Sequence, residues 1–146
     1  MNTQAQIFRT SWGFRLLYLV PLLLVLLALV TQVKSPAQYG WLLVLLAIVF
    51  SVMTVPRALT KVIVDDESLV VNTPLRKSTV IYLRQLVSVE RSPRVGHALL
   101  LRYHPMDERG RLDIANQEFK GLPPLEQQEQ LLDLLKGAVG EDGIVG

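Results

Sequence analysis

Two histidines, one run of acids and one stretch of cations are the groupings in this chain that suggest chemistry. His97 and His104 bracket the run HALLLRYH. If that run is a strand, side chains seven positions apart point to opposite faces, so the pair cannot share a metal and reads as two strand-end histidines. Asp65-Asp66-Glu67-Ser68 resembles a hard-cation loop in composition only. Three consecutive acids project in different directions, and an acid-rich tetrad between two β-prone runs is turn chemistry. No phosphate-binding glycine loop, dinucleotide fingerprint, HExxH pair or nucleophile elbow occurs in the sequence. The chain has no cysteine, which removes disulfides, thiolate metal sites and cysteine nucleophiles. The expectation is therefore a protein without catalytic residues, metal or cofactor. What remains is Arg76, Lys77, Arg84, Arg91 and Arg94, a stretch interrupted by a single acid, Glu90.

These cations sit in the second of two unlike halves. Residues 1–60 hold Arg9, Arg15, Lys34 and Arg57 and no acid, while all 13 acidic residues lie beyond them. The net charge of +2 and the pI near 9.1 average these halves and do not indicate a nucleic-acid binder. The positive mean hydropathy of +0.33 has its source in the first half. Leu16–Val33 is free of charge and spans about 27 Å as a helix, close to the ~30 Å bilayer core. Extension back to Trp12 adds a turn and an interfacial aromatic. A second run, Trp41–Val55, reaches spanning length if it continues through Leu59. Neither run has the polar face of a soluble amphipathic helix. The short connection Lys34–Gly40, with Pro36, permits only an antiparallel hairpin. The first run lacks a cleavage site of the A-x-A type, and the rest of the chain is too small to bury both helices, so signal-peptide and soluble-core readings fit less well.

The expected organisation is thus a two-helix hairpin over residues 1–59, with spans at about 14–33 and 41–59. Arg15, Trp12, Trp41, Arg57 and Lys61 serve as interface anchors. Cations flank the outer ends, and only Lys34 marks the connection, so both termini are expected in the cytoplasm and the protein in the inner (plasma) membrane as a multi-pass protein. Pro21 falls in the early turns of the first helix. Ala47 and Ser51 form a small-xxx-small pair suited to close helix approach. No ionisable residue lies within either span, which argues against a transporter or pump acting alone.

From Thr60 the pattern becomes short β-prone runs separated by turn residues: Lys61–Val64, Leu69–Asn72, Ser78–Leu83, Leu86–Arg91, His97–His104, Arg111–Asn116 and a last short run at Phe119. Leu86–Arg91 alternates, with Leu86, Ser88 and Glu90 on one face and Val87, Val89 and Arg91 on the other. Pro123 and Pro124 then suit a helix entry, and Leu125–Val139 carries a 3.6-residue apolar stripe. The fold class expected is α+β, with residues 60–139 a small antiparallel β-barrel or sandwich capped by a C-terminal helix and 140–146 a tail.

On the opening KVIVDDESLVV, the STVIYLRQLVSVER segment, the HALLLRY run and the leucine-rich last helix, this half resembles the pleckstrin-homology (PH) fold. It is similar in particular to bacterial PH-like domains that directly follow two N-terminal transmembrane helices. The resemblance implies a partly open barrel plugged by the helix and a domain that binds lipids or proteins. A similar order of elements occurs in photosystem I assembly proteins, but no residue motif here selects that family. Two roles stay open: an accessory subunit or assembly factor contacting a membrane protein or a second copy, and a sensor of anionic headgroups using Arg76, Lys77, Arg84, Arg91 and Arg94. Nucleic acid is not an expected partner.

Overall fold

The computed structural model describes residues 4–92 and 98–142. In chain order they form β1 (Gln6–Arg9), α1 (Trp12–Lys34), α2 (Gly40–Ala58), β2 (Lys61–Val64), β3 (Ser68–Asn72), β4 (Thr79–Tyr82), a single 3-10 turn at Leu83–Gln85, β5 (Leu86–Arg91), β6 (Leu99–Tyr103), β7 (Glu118–Leu122) and α3 (Gln128–Asp142). The class is α+β: two long apolar helices, two antiparallel sheets that do not close into a barrel, and a C-terminal helix.

α1 and α2 are each long and apolar enough to cross a bilayer. They pack on each other along one narrow stripe per helix. Tyr18, Pro21, Val25 and Gln32 are buried on α1 and Val44, Ser51 and Ala58 on α2, at intervals that keep them on one face. Pro56 is buried as well near the end of α2, and most of the remaining surface of both helices is exposed Leu, Val, Ile and Phe. The Ser and Thr hydroxyls on these helices bond to their own backbone, Thr31 to the Ala28 carbonyl, Ser51 to Ala47 and Thr54 to Phe50, so none of these three is left bare in an apolar setting. At the connection, the buried Gln32 amide donates to the Ala37 carbonyl at 3.1 Å and accepts from the Ala37 N–H at 3.3 Å. Gly40 lies against this amide, and a Cβ there would displace it.

The sheets run β1-β2-β3-β4 and β5-β6-β7. β1 is the element that the periodicity did not reveal. Four residues before the first helix pair antiparallel with β2, Gln6 opposite Val64 through Arg9 opposite Lys61. The hairpin is thereby inserted between two adjacent strands of one sheet. A single cluster fills the space between the sheets: Phe8, Val62, Val64, Leu69, Val71 and Ile81 from the first, Leu86, Val89, Leu99, Leu101, Tyr103 and Leu122 from the second, and Leu131, Leu132 and Leu135 from α3.

Three expectations need correction. The strict alternation over Leu86–Arg91 is broken by a bulge between Leu86 and Ser88, which brings Leu86 and Val89 to the same buried face. Arg111–Asn116 is not a strand. The Asp107 carboxylate accepts the N–H groups of Arg109 and Arg111, and the Asp113 and Asn116 N–H groups bond the nearby Pro105 and Asp113 carbonyls, so local turn bonds take the backbone groups a ladder would use. Only the single bridge Met106–Leu112 remains there. The last helix begins at Gln128 and not at Leu125, because Leu125 bridges Thr10 and the Glu126 N–H donates to the Arg9 carbonyl. The turn expected between the Leu86–Arg91 and His97–His104 runs, over residues 92–96, lies outside the described residues from 93 onward, as does His97.

Candidate functional site

The chain enters and leaves the hairpin through one buried junction. Thr10 is fully buried, and its hydroxyl, shared between two acceptors, reaches the Arg57 carbonyl at 2.9 Å and the Thr60 carbonyl at 3.3 Å. Thr60 donates to the Pro56 carbonyl at 3.2 Å, which leaves Thr73 as the donor in the 3.1 Å contact between the Thr60 and Thr73 hydroxyls. The Ser11 N–H donates to the Pro124 carbonyl at 2.8 Å, and the Arg15 guanidinium lies 3.8 Å from the Glu126 carboxylate. These contacts fix the start of α1, the end of α2, the β3–β4 loop and the entry to α3 to one another.

Around this junction lies a cavity of about 80 Å³ whose wall includes Arg57, Thr60, Thr73, Arg76, Lys77 and Lys120. Four of these are cations, and among the described residues no acid lines the cavity. A neighbouring cleft of about 290 Å³ adds Arg9, Arg15 and Lys61. The ion pairs among the described residues are Arg15–Glu126, Arg91–Glu129 and Arg102–Glu90, so none of Arg57, Arg76, Lys77 and Lys120, which line the same cavity, is paired with a carboxylate. Four like charges around one small space repel, and an anion relieves that repulsion.

The loop supplying Arg76 and Lys77 has an unusual apex. The Arg76 N–H closes a turn onto the Thr73 carbonyl, with Pro74 and Leu75 as its central residues. Leu75 takes φ 62°, the left-handed region that turns of this kind reserve for glycine or asparagine. A leucine there costs roughly 1–2 kcal/mol. Its side chain is 86% exposed and touches no part of the core.

The five cations singled out in the sequence do not form one cluster. Arg76 and Lys77 share the cavity. Arg84 instead stacks over the Tyr82 ring at 5.6 Å, and Arg91 pairs with Glu129 on α3. Arg94 lies outside the described residues. Of the expected anchors, Arg15, Arg57 and Lys61 gather at the junction end of the helix pair. Trp12 and Trp41 are exposed at the first turns of two antiparallel helices, hence at opposite ends of the pair. From sequence, Arg9 is placed only as a charge flanking the first span, and Lys120 is not singled out. Lys120 has no basic neighbour in the chain and reaches the cavity only because β7 closes the second sheet.

The remaining titratable groups serve local structure. Asp65 caps its turn by accepting the N–H groups of Glu67 and Ser68, which holds its carboxyl below the usual carboxylate range. His104 bonds the Asn116 carbonyl through Nδ1. Tyr103 donates to Glu118 at 2.8 Å, and burial, followed by the hydrogen bond to that carboxylate and its charge, pushes the phenol up to about 12. Among the described residues no group of three or more His, Asp or Glu side chains is placed to hold a metal ion. No family model, curated protein or solved structure matches this chain.

Proposed function

We propose that this protein is a non-catalytic integral membrane protein of the inner membrane, with both termini cytoplasmic and a PH-like domain that acts as an interaction module, serving as an accessory subunit or assembly factor of a membrane complex. The observation that carries this reading is the insertion of the apolar hairpin between β1 and β2. A domain built this way is held against the bilayer in one orientation, not on a flexible tether, which suits a module that presents a fixed surface to a membrane partner. The division into four and three antiparallel strands with a C-terminal helix supports the PH-like assignment. Arg9, Arg15, Arg57 and Lys61 at one end of the helix pair, against Lys34 at the other, support the orientation.

The accessory role draws support from a groove of about 410 Å³ between α1 and α2, where Ala28 and Ala47 leave room for a partner's transmembrane helix to approach closely. A photo-crosslinker replacing Leu46, which lines the groove, is expected to give a discrete adduct with another integral membrane protein in native membranes. The same group at exposed Leu45, outside the groove, is expected to give none. Adducts with lipid alone, or equal adducts from both positions, would refute the accessory role. A second reading, recognition of anionic headgroups, is favoured by the unpaired cations at the junction.

A further inference from the structure

Resting on the reading of α1 and α2 as membrane-spanning, we infer that the junction cavity and the β3–β4 loop form a binding site for the phosphate of an anionic membrane phospholipid. Three observations on different parts of the structure converge there.

The first is charge. Arg57 comes from the last turn of α2, Arg76 and Lys77 from the β3–β4 loop and Lys120 from β7, and they converge on one space of about 80 Å³ with no acid among the described residues of its wall. Drug-sized ligands occupy pockets of roughly 300–1,000 Å³, so this volume suits a compact oxyanion and not a whole metabolite. The Thr60 hydroxyl hydrogen already serves the Pro56 carbonyl, and that of Thr73 serves the Thr60 oxygen. The donors left for a ligand are therefore guanidinium and ammonium groups, which recognise phosphate.

The second is position. Pro74, in the same loop, lines the neighbouring cleft with Ala58 and Leu59 at the end of α2 and Arg15 in the first turn of α1. These are the points where both helices would leave the hydrocarbon core, so the cavity opens at the depth of lipid headgroups.

The third is the apex. Leu75 is held in a backbone conformation unfavourable for its residue type, with its side chain 86% exposed and basic residues directly after it. Strain concentrates at binding sites, where the surroundings hold it in place. An apolar tip followed by two cations is the composition of an interfacial membrane contact, with the leucine among the upper acyl chains and Arg76 and Lys77 at the phosphates. This charge complementarity and depth single out a lipid, and not a soluble anion, as the occupant.

The test uses the full chain in mild detergent, titrated with phosphatidylglycerol or phosphatidylcholine and read by native mass spectrometry. Phosphatidylglycerol is expected to bind in preference, and Arg76→Gln with Lys77→Gln to weaken it roughly 25-fold, about fivefold per cation. Arg109→Gln with Arg111→Gln makes the same change in net charge on an exposed loop outside the cavity and is expected to leave binding within about twofold. A Leu75→Trp variant in which Trp12 and Trp41 are replaced by Phe is expected, in proteoliposomes, to show fluorescence quenched by brominated acyl chains at the introduced indole. Equal weakening by the two double variants, no preference over phosphatidylcholine, or an introduced indole that stays unquenched would overturn the proposal. Displacement of the lipid by millimolar inorganic phosphate would reassign the site to a free anion and overturn it too. The membrane reading fails separately, if the chain stays soluble without detergent.

Discussion

The junction at Thr10 makes the most exacting test of how the domain is attached. Thr10 is fully buried, and its hydroxyl joins the end of α2 to the start of β2 through the Arg57 and Thr60 carbonyls. Thr10→Val keeps the shape of the side chain and removes the donor. Both carbonyls keep a backbone donor, since Arg57 still accepts from the Thr60 N–H and Thr60 from the Thr10 N–H, each at 3.3 Å. The larger penalty for an orphaned buried carbonyl therefore does not apply. The loss is that of one buried hydrogen bond, about 0.5–1.5 kcal/mol. A loss of this size raises the equilibrium for local opening about 2- to 13-fold. Amide hydrogen exchange of the full chain in micelles is the assay. Exchange over Gln6–Arg9 and across the β2 ladder is expected to accelerate by that factor, while the middle of α1 and of α2 stays unchanged. Acceleration below twofold at β1, or equal acceleration along the whole hairpin, would refute the claim that Thr10 locks β1 and the helix pair to the sheet.

Three further outcomes follow from other parts of the fold. Leu131→Ala empties a fully buried position of α3 within the shared core and is expected to cost about 2–5 kcal/mol, read as a lowered thermal midpoint; a loss below about 1 kcal/mol would show that α3 is not part of the core. Tyr103 is expected to ionise near 12, where an ordinary tyrosine does so near 10, a late step in phenolate absorbance that Tyr103→Phe removes. Because its folded value is raised, the stability it contributes is complete below about pH 10 and is lost as pH rises through about 12; stability rising over that interval would contradict the assignment. Gln32→Ala removes both hydrogen bonds to Ala37 and is expected to speed amide exchange across the helix connection about 5- to 30-fold, with β1 unaffected.

Several features of this architecture are legible in single-sequence patterns. α1 and α2 stand out because a charge-free run of spanning length suits lipid far better than a small soluble core, and β2, β3 and β4 because β-prone residues meet clear turn chemistry at Asp65–Ser68 and Thr73–Pro74. β1 was illegible for a physical reason. Gln6–Arg9 is short and has only one buried side chain, Phe8, and its partner strand lies beyond a helical insertion, so no local signal links the two. The bulge at Leu86–Ser88 was hidden because the alternation looks regular until pairing with β6 shifts its register. The candidate site shows the same limit. Arg76 and Lys77 were visible as neighbours in sequence, but Arg84 and Arg91, drawn in by proximity along the chain, point to other partners. Arg57 was noted only as an anchor, and Lys120 not at all, because only tertiary folding brings them to the same cavity.

The central claim is that the hairpin crosses a bilayer while both of its flanks stay on one side. The absence of cysteine from the sequence makes this directly measurable. Single cysteines replacing exposed Gln38, in the helix connection, and exposed Glu108, in the β domain, are labelled with a membrane-impermeant maleimide in sealed right-side-out and inverted vesicles. Gln38→Cys is expected to react only from the outer face and Glu108→Cys only from the cytoplasmic face. Labelling of both positions from the same face, or a chain that remains in the supernatant without detergent, would contradict the account.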